Sequence, residues 1–159
     1  MDAERPTRAP PDADGFEPAA VDLRDYVAFD QGRPVDRRVI ATDVVAVDLV
    51  CLEPGQVLEA REYATADAVY TVLGGTAWVV TDQAEVTLRA LQAVIVPAGV
   101  VHGLRNSSAD PLILQVVISP PDEAPAAARG PLADSGGRTS GSPDRPGLLD
   151  RLRRGLSGA

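Results

Sequence analysis

Pro97-Ala98-Gly99-Val100-Val101-His102-Gly103-Leu104-Arg105-Asn106 is the stretch on which the reading of this chain turns. Pro97 fixes φ at the entrance. Gly99, two residues on, can take the positive φ of a tight corner. The stretch therefore reads as a sharp turn into a β-strand that holds His102 at its start, aimed inward. His102 is also the only histidine in the chain.

Working outward, 93–96 lies before this corner, and 112–118 follows the turn at 106–111. Upstream, 44–52 is a long β-branched run ended by Glu53-Pro54-Gly55, and 69–73 runs into Gly74-Gly75. Residues 76–81 end at Asp82-Gln83, and 85–88 follow. Strands this short, with turn signals this close, leave no room for the crossover helices of a parallel sheet. The expected class is all-β, a sandwich or barrel.

The chain has 159 residues, 45% of them hydrophobic, enough for one domain with its own core. Residues 1–18 hold four prolines and five acids and read as a disordered acidic arm. Residues 19–120 read as the barrel. Residues 121–146 turn to Pro, Gly, Ala and Ser, a linker composition, and 147–157 recover a short helical pattern. A net charge of −8 and a pI near 4.5 argue against nucleic acid as a partner, since phosphate binding needs a basic surface. Cys51 is the only cysteine, which forbids an internal disulfide and fits a reducing compartment. The first twenty residues carry no basic start and no apolar h-region, and no apolar run approaches the ~20 residues of a membrane span. A cytoplasmic location is expected.

At the level of motifs the chain resembles a small single-domain bacterial cupin. The family's second motif, glycine, five residues, then P-x-G-x-x-H-x-x-x-N, is matched at Pro97, Gly99, His102 and Asn106, with Leu91 in place of its leading glycine. Its first motif, G-x5-H-x-H-x3-4-E-x6-G, aligns by spacing from Gly55 to Gly75. The run Val72-Leu73-Gly74-Gly75 resembles the family's V-L-x-G corner. The resemblance implies a double-stranded β-helix, the cupin or jelly-roll barrel.

It also implies a place for a divalent transition metal, and there the chain departs from its family. Arg61 and Tyr63 stand where the two histidines belong, and Ala68 stands at the glutamate, so His102 alone remains. Such ions prefer N and O donors, one imidazole cannot hold a catalytic metal, and an arginine repels a cation at close range. The expectation is a barrel without a metal cofactor. The alternative keeps a divalent transition metal on His102 with Glu59 or Asp67, against the strand parity of Asp67.

If positions 61 and 63 face the lumen as in the family, Arg61 and Tyr63 point there, joined by Glu59 if the strand runs that far. Ala68, Tyr70 and Val72 share the inward face of the next strand. Gln115 interrupts an apolar run on the last strand, where a buried amide needs a partner. Arg61, Tyr63, Tyr70, His102 and Gln115 together form a candidate ligand-binding set with donors suited to a carboxylate or other small anion. Blander roles stay open. Arg61 can pair with Glu59, Glu62 or Asp67 at the mouth, His102 can be a neutral motif residue, and the tyrosines can be core. Asn106 is expected to close a turn through its side chain, and Trp78 fits either core or a dimer interface.

Leucines at 148, 149, 152 and 156 form a stripe at helical spacing beside Arg151, Arg153 and Arg154. This segment reads as a docking element for a partner protein or an anionic membrane surface. It is similar to the tails that load cargo into bacterial encapsulin shells. Three functions are weighed. The first is a metal-free binding or accessory protein with a small, anionic ligand in the barrel. The second is a cupin-type enzyme, an isomerase, cyclase or dioxygenase, with His102 as base, Tyr63 as acid and Arg61 on a substrate carboxylate. The third is an interaction protein delivered by its tail. A homodimer is expected, because cupins commonly pair through their sheets and exposed strand edges need covering.

Overall fold

The computed structural model describes residues 18–121 and a two-residue strand at 126–127. The expectations for the acidic arm up to residue 17 and for the helical segment 147–157 lie outside the described residues. A single 3-10 turn, Leu23–Tyr26, precedes the strands; its cap Asp22 accepts from the Arg24 backbone N–H. The strands are β1 (Val35–Ala41), β2 (Ala46–Leu52), β3 (Val57–Glu62), β4 (Asp67–Gly74) and β5 (Thr76–Thr81). They continue with β6 (Glu85–Arg89), β7 (Ala93–Val96), β8 (His102–Asn106), β9 (Leu112–Ser119) and β10 (Ala126–Ala127).

They form two five-stranded antiparallel sheets, in the orders β1-β2-β9-β4-β7 and β10-β3-β8-β5-β6. After β2 the chain changes sheet at nearly every connection, which makes the architecture a double-stranded β-helix. Two strands were not legible beforehand. β1 reads as a charged stretch, and β10 lies in the region read as linker, where it pairs with Glu62 and Arg61 of β3.

Backbone chirality explains where the chain can turn. Four of the sheet-changing corners carry a residue with positive φ: Gly55, Gly75, Leu91 and Gly99. Gly75 is obligatory for a second reason, since a Cβ there would run into the Pro111 carbonyl oxygen. Gly99 has open space around it, so only its φ of 78° calls for glycine. Leu91 holds φ 66° while 86% exposed. It keeps the corner of the family's missing glycine at a steric cost.

Strict alternation sets the core. On β9, Leu112, Leu114, Val116 and Ile118 are buried and the residues between them are not. Their register partners on β2 and β4 (Leu52, Val50, Val72, Tyr70 and Ala68) point the same way and are buried as well. Leu58, Ala77, Val79 and Leu104 complete the core from the second sheet.

Candidate functional site

The corner at 97–99 is pinned before β8 begins. Gly99 donates its N–H to the Tyr63 carbonyl at 2.7 Å, and Ala98 donates to the Asp67 carboxylate at 2.9 Å. His102 then starts β8 with 1% exposure, beside Arg61 of β3 on one side and Thr81 of β5 on the other.

The imidazole is held at both nitrogens. Nδ1 lies 3.0 Å from the Val100 carbonyl, an acceptor only, so Nδ1 carries the proton. Nε2 is then free to accept, and the Tyr70 hydroxyl donates to it at 2.7 Å. Tyr63 stacks on the same ring at 6.3 Å between centroids. Burial pushes the His102 pKa below its ordinary 6.5; the Val100 carbonyl opposes that shift and the Arg61 charge adds to it. Burial likewise raises both tyrosine hydroxyls, with the Arg61 charge pulling each back down. The cluster is a neutral imidazole capped by a firmly protonated phenol.

The structure brings together four of the five expected ligand-binding residues: Arg61, Tyr63, Tyr70 and His102. Gln115 does not join them. It pairs in register with Leu49 and Thr71 and sits on the opposite face of β9 from buried Leu114 and Val116. Its parity is that of 113 and 117, so the amide faces out of the barrel.

Glu59 is absent from the cluster for a different reason. A bulge in β3 puts Leu58 and Arg61 opposite Leu104 and His102, inserting one residue on the β3 side. The simple i, i+2 relation therefore fails, and Glu59 is exposed. Asp67 is occupied as the acceptor for Ala98. Of the two carboxylates of the metal alternative on His102, Glu59 is thus turned to solvent and Asp67 holds the 97–99 corner. Among the described residues no group of three or more His, Cys, Asp or Glu could hold an ion. The donors around His102 are phenols and a guanidinium, and they do not fit a divalent transition metal.

Three site residues escaped the sequence reading. Asp48 is on the inward face of β2 and 7% exposed. Arg38 of β1 grips it side-on, through Nε to Oδ1 at 2.7 Å and Nη2 to Oδ2 at 3.1 Å. Asp36 shares the face of Arg38, and the charges of Arg61, Arg38 and Asp48 all reach it. The available signal was Asp48 itself, an acid inside the apolar run 44–52. Among the described residues the guanidinium ion pairs are Arg38–Asp48 and Arg24–Asp22. None of Glu59, Glu62 or Asp67 pairs with Arg61.

An apolar cleft of about 140 Å³ lies between β5, β6 and β7, with Val79, Thr81, Val86, Val94, Val96 and Val100 in its wall. Thr81 is the register partner of His102, so the cleft begins one strand away from the imidazole.

The family model described as "Cupin domain" matches residues 48–118. The chain is 32% identical to the Thermus thermophilus protein TT1209, with a TM-score of 0.61, covering 64% of this chain and 96% of that one. It is 26% identical to an uncharacterized conserved Klebsiella pneumoniae protein with a double-stranded β-helix domain, at a TM-score of 0.66, covering 72% and 100%. An RmlC-like cupin protein from Desulfovibrio desulfuricans, 22% identical at a TM-score of 0.59 over 65% and 98%, shares the fold. No curated protein matches the chain. Among the described residues no helix is long and apolar enough to cross a membrane.

Proposed function

The chain belongs to the cupin superfamily, and on that premise we propose that its barrel is a metal-free site for a small organic acid. Arg61 is the anchor for the acid's carboxylate. The observation that carries this is Arg61 itself: a guanidinium one register step from the buried imidazole, without a carboxylate in ion-pair contact among the described residues. The neighbouring Arg38 is held side-on by Asp48, whereas Arg61 has only the through-space charge of Asp36 beside it and keeps its guanidinium donors for a ligand. A bidentate guanidinium–carboxylate contact is strong and directional.

Tyr63 and the Tyr70–His102 pair supply further polar groups. The apolar cleft beside Thr81 suits a short hydrocarbon body, since a cavity near 150 Å³ accommodates a benzene-sized group. Arg61 and Thr81 flank the same strand, and two strand spacings put them about 10 Å apart. The ligand class is therefore an acid with a compact apolar portion.

The test is thermal melting of the full chain with acetate, benzoate and 3-phenylpropionate at constant ionic strength. The melting temperature rises with the aromatic acids, and Arg61→Gln removes the rise. An equal rise in the variant, or no rise in either protein, would count against the reading. So would stoichiometric iron, manganese, nickel or zinc in metal analysis of the purified protein.

A catalytic second reading draws on the 2.7 Å Tyr70–His102 contact. In that reading His102 is the base and Tyr70, rather than Tyr63, is its proton partner. A homodimer through the first sheet is supported by an apolar row across its outer face, Val47, Val117, Val69 and Ile95, the last 60% exposed. Light scattering on the purified chain tests it.

A further inference from the structure

The mouth of the barrel between β1 and β3 carries two opposite charges that face the same interior and do not meet. Asp36 of β1 is in register with Val50, which is buried in the main core, so its carboxyl takes the inward parity of Arg38 and Asp48. Arg61 comes from the other sheet, in register with inward His102. Neither residue makes an ion pair among the described residues, where the pairs are Arg38–Asp48 and Arg24–Asp22. Asp36 and Arg61 therefore stand farther apart than the roughly 4 Å of an ion pair, yet the Arg61 charge still reaches Asp36. The Asp36 charge is felt in turn at the hydroxyls of Tyr63 and Tyr70. The carboxyl thus looks onto the same cluster as the imidazole.

Asp36 keeps solvent access, so a ligand can reach it. Burial of its inner side nevertheless raises its pKa, the Asp48 charge adds to the rise, and the Arg61 and Arg38 charges only partly oppose it. This carboxyl is short of positive charge. A plain acid seated on Arg61 would worsen the shortage, because its own carboxylate would lie near a second negative group with little water between them. A head group carrying both signs would relieve it. The four side-chain charges here (Asp36, Arg38, Asp48 and Arg61) are two of each sign, so a ligand of zero net charge leaves them balanced.

We propose that the ligand of this barrel is a zwitterionic α-amino acid, with its carboxylate on Arg61, its ammonium on Asp36 and its apolar side chain in the cleft beside Thr81. This rests on the reading of Arg61 as a carboxylate anchor and narrows the class of acid that the anchor admits. An α-amino acid holds its two charges on adjacent carbons, which suits partners that face each other across a gap too wide for a direct pair. Asp36 is then the specificity-determining residue: it repels simple acids and selects those with an α-ammonium.

The test is calorimetric titration of the full chain at neutral pH and constant ionic strength with three acids of one skeleton. They are 3-phenylpropionate, 3-phenyllactate and phenylalanine, which carry hydrogen, hydroxyl and ammonium on the α-carbon. Phenylalanine should bind about tenfold more tightly than either of the others, the size of one charge-assisted contact. Asp36→Asn should abolish that preference and bind 3-phenylpropionate several-fold more tightly, since a repelling charge is gone. Wild-type binding of 3-phenylpropionate with no preference for phenylalanine would overturn the proposal and leave the Arg61 anchor standing. Phenyllactate matching phenylalanine would overturn it too, because a hydroxyl donor would then suffice without the charge. So would an Asp36→Asn chain that keeps the preference, or one that loses both ligands equally and thereby reveals a structural role. Binding of none of the three acids would remove the anchor and this inference together.

Discussion

His102 and Asn106 stand four residues apart on one strand, face the same interior and are buried to 1% and 0%. They represent the two ends of the barrel, and the ends are built differently. At the Asn106 end the asparagine's own polar atoms are all satisfied locally. The amide donates to the Leu52 and Asp110 carbonyls at 3.2 and 2.7 Å, and its oxygen accepts from the Ser108 backbone and hydroxyl. Its surroundings are Leu52, Leu112, Ala77 and Leu88. At the His102 end the same alternation delivers Asp48, Arg38, Tyr70 and Arg61. The first end is a latch, closed on itself. The second keeps a guanidinium in hand.

The contrast can be broken from either side. Asn106→Ala removes four hydrogen bonds and takes the side-chain donor from the Leu52 carbonyl, while the Asp110 carbonyl keeps the Ser108 hydroxyl, and should cost about 3 kcal/mol in chemical denaturation. A loss below about 1 kcal/mol would show that the latch is not one. At the other end Arg38→Met leaves buried Asp48 without its partner. Because the Arg38 side chain is 47% exposed, water relieves part of that penalty, so about 2 kcal/mol is expected.

Tyr70→Phe removes the donor to Nε2 and should cost about 1 kcal/mol at neutral pH. The same site predicts a pH signature. With the folded pKa of His102 below 6.5, the unfolded chain takes up the proton first as pH falls. Stability is then complete above that value and declines below it, by at most about 1.4 kcal/mol per pH unit, until the folded pKa is passed. His102→Gln should remove this decline, while Asn106→Ala should leave it in place. The smallest effect belongs to a corner between the ends. Leu91→Gly relieves a positive φ at an exposed residue, and should raise stability by about 0.5–1 kcal/mol, read as a higher melting temperature.

The latch end was more legible in the sequence than the open one. Its residues obey one rule each: glycine where φ is positive, leucine on the inward parity, asparagine at a turn. The open end needed information that a single strand does not carry. Gln115 was set inward because an amide in an apolar run stands out, but the burial of Leu114 and Val116 fixes the opposite parity. Glu59 was grouped with Arg61 by counting in twos across a bulge that breaks the count. Asp36 and Arg38 hid in a strand too charged to read as one, and Asp48 was passed over within its hydrophobic run. Each error came from treating a strand alone, when the neighbouring strand sets which side faces in.

The sole histidine allows one spectrum to test the central claim, that Arg61 and two phenols have taken a metal's place. In full-length protein labelled with ¹⁵N-histidine, His102 should appear at pH 7 as the neutral Nδ1–H tautomer and stay unshifted after one equivalent of Zn²⁺. An imidazolium at that pH, or an Nε2 signal moved by zinc coordination, would contradict the account.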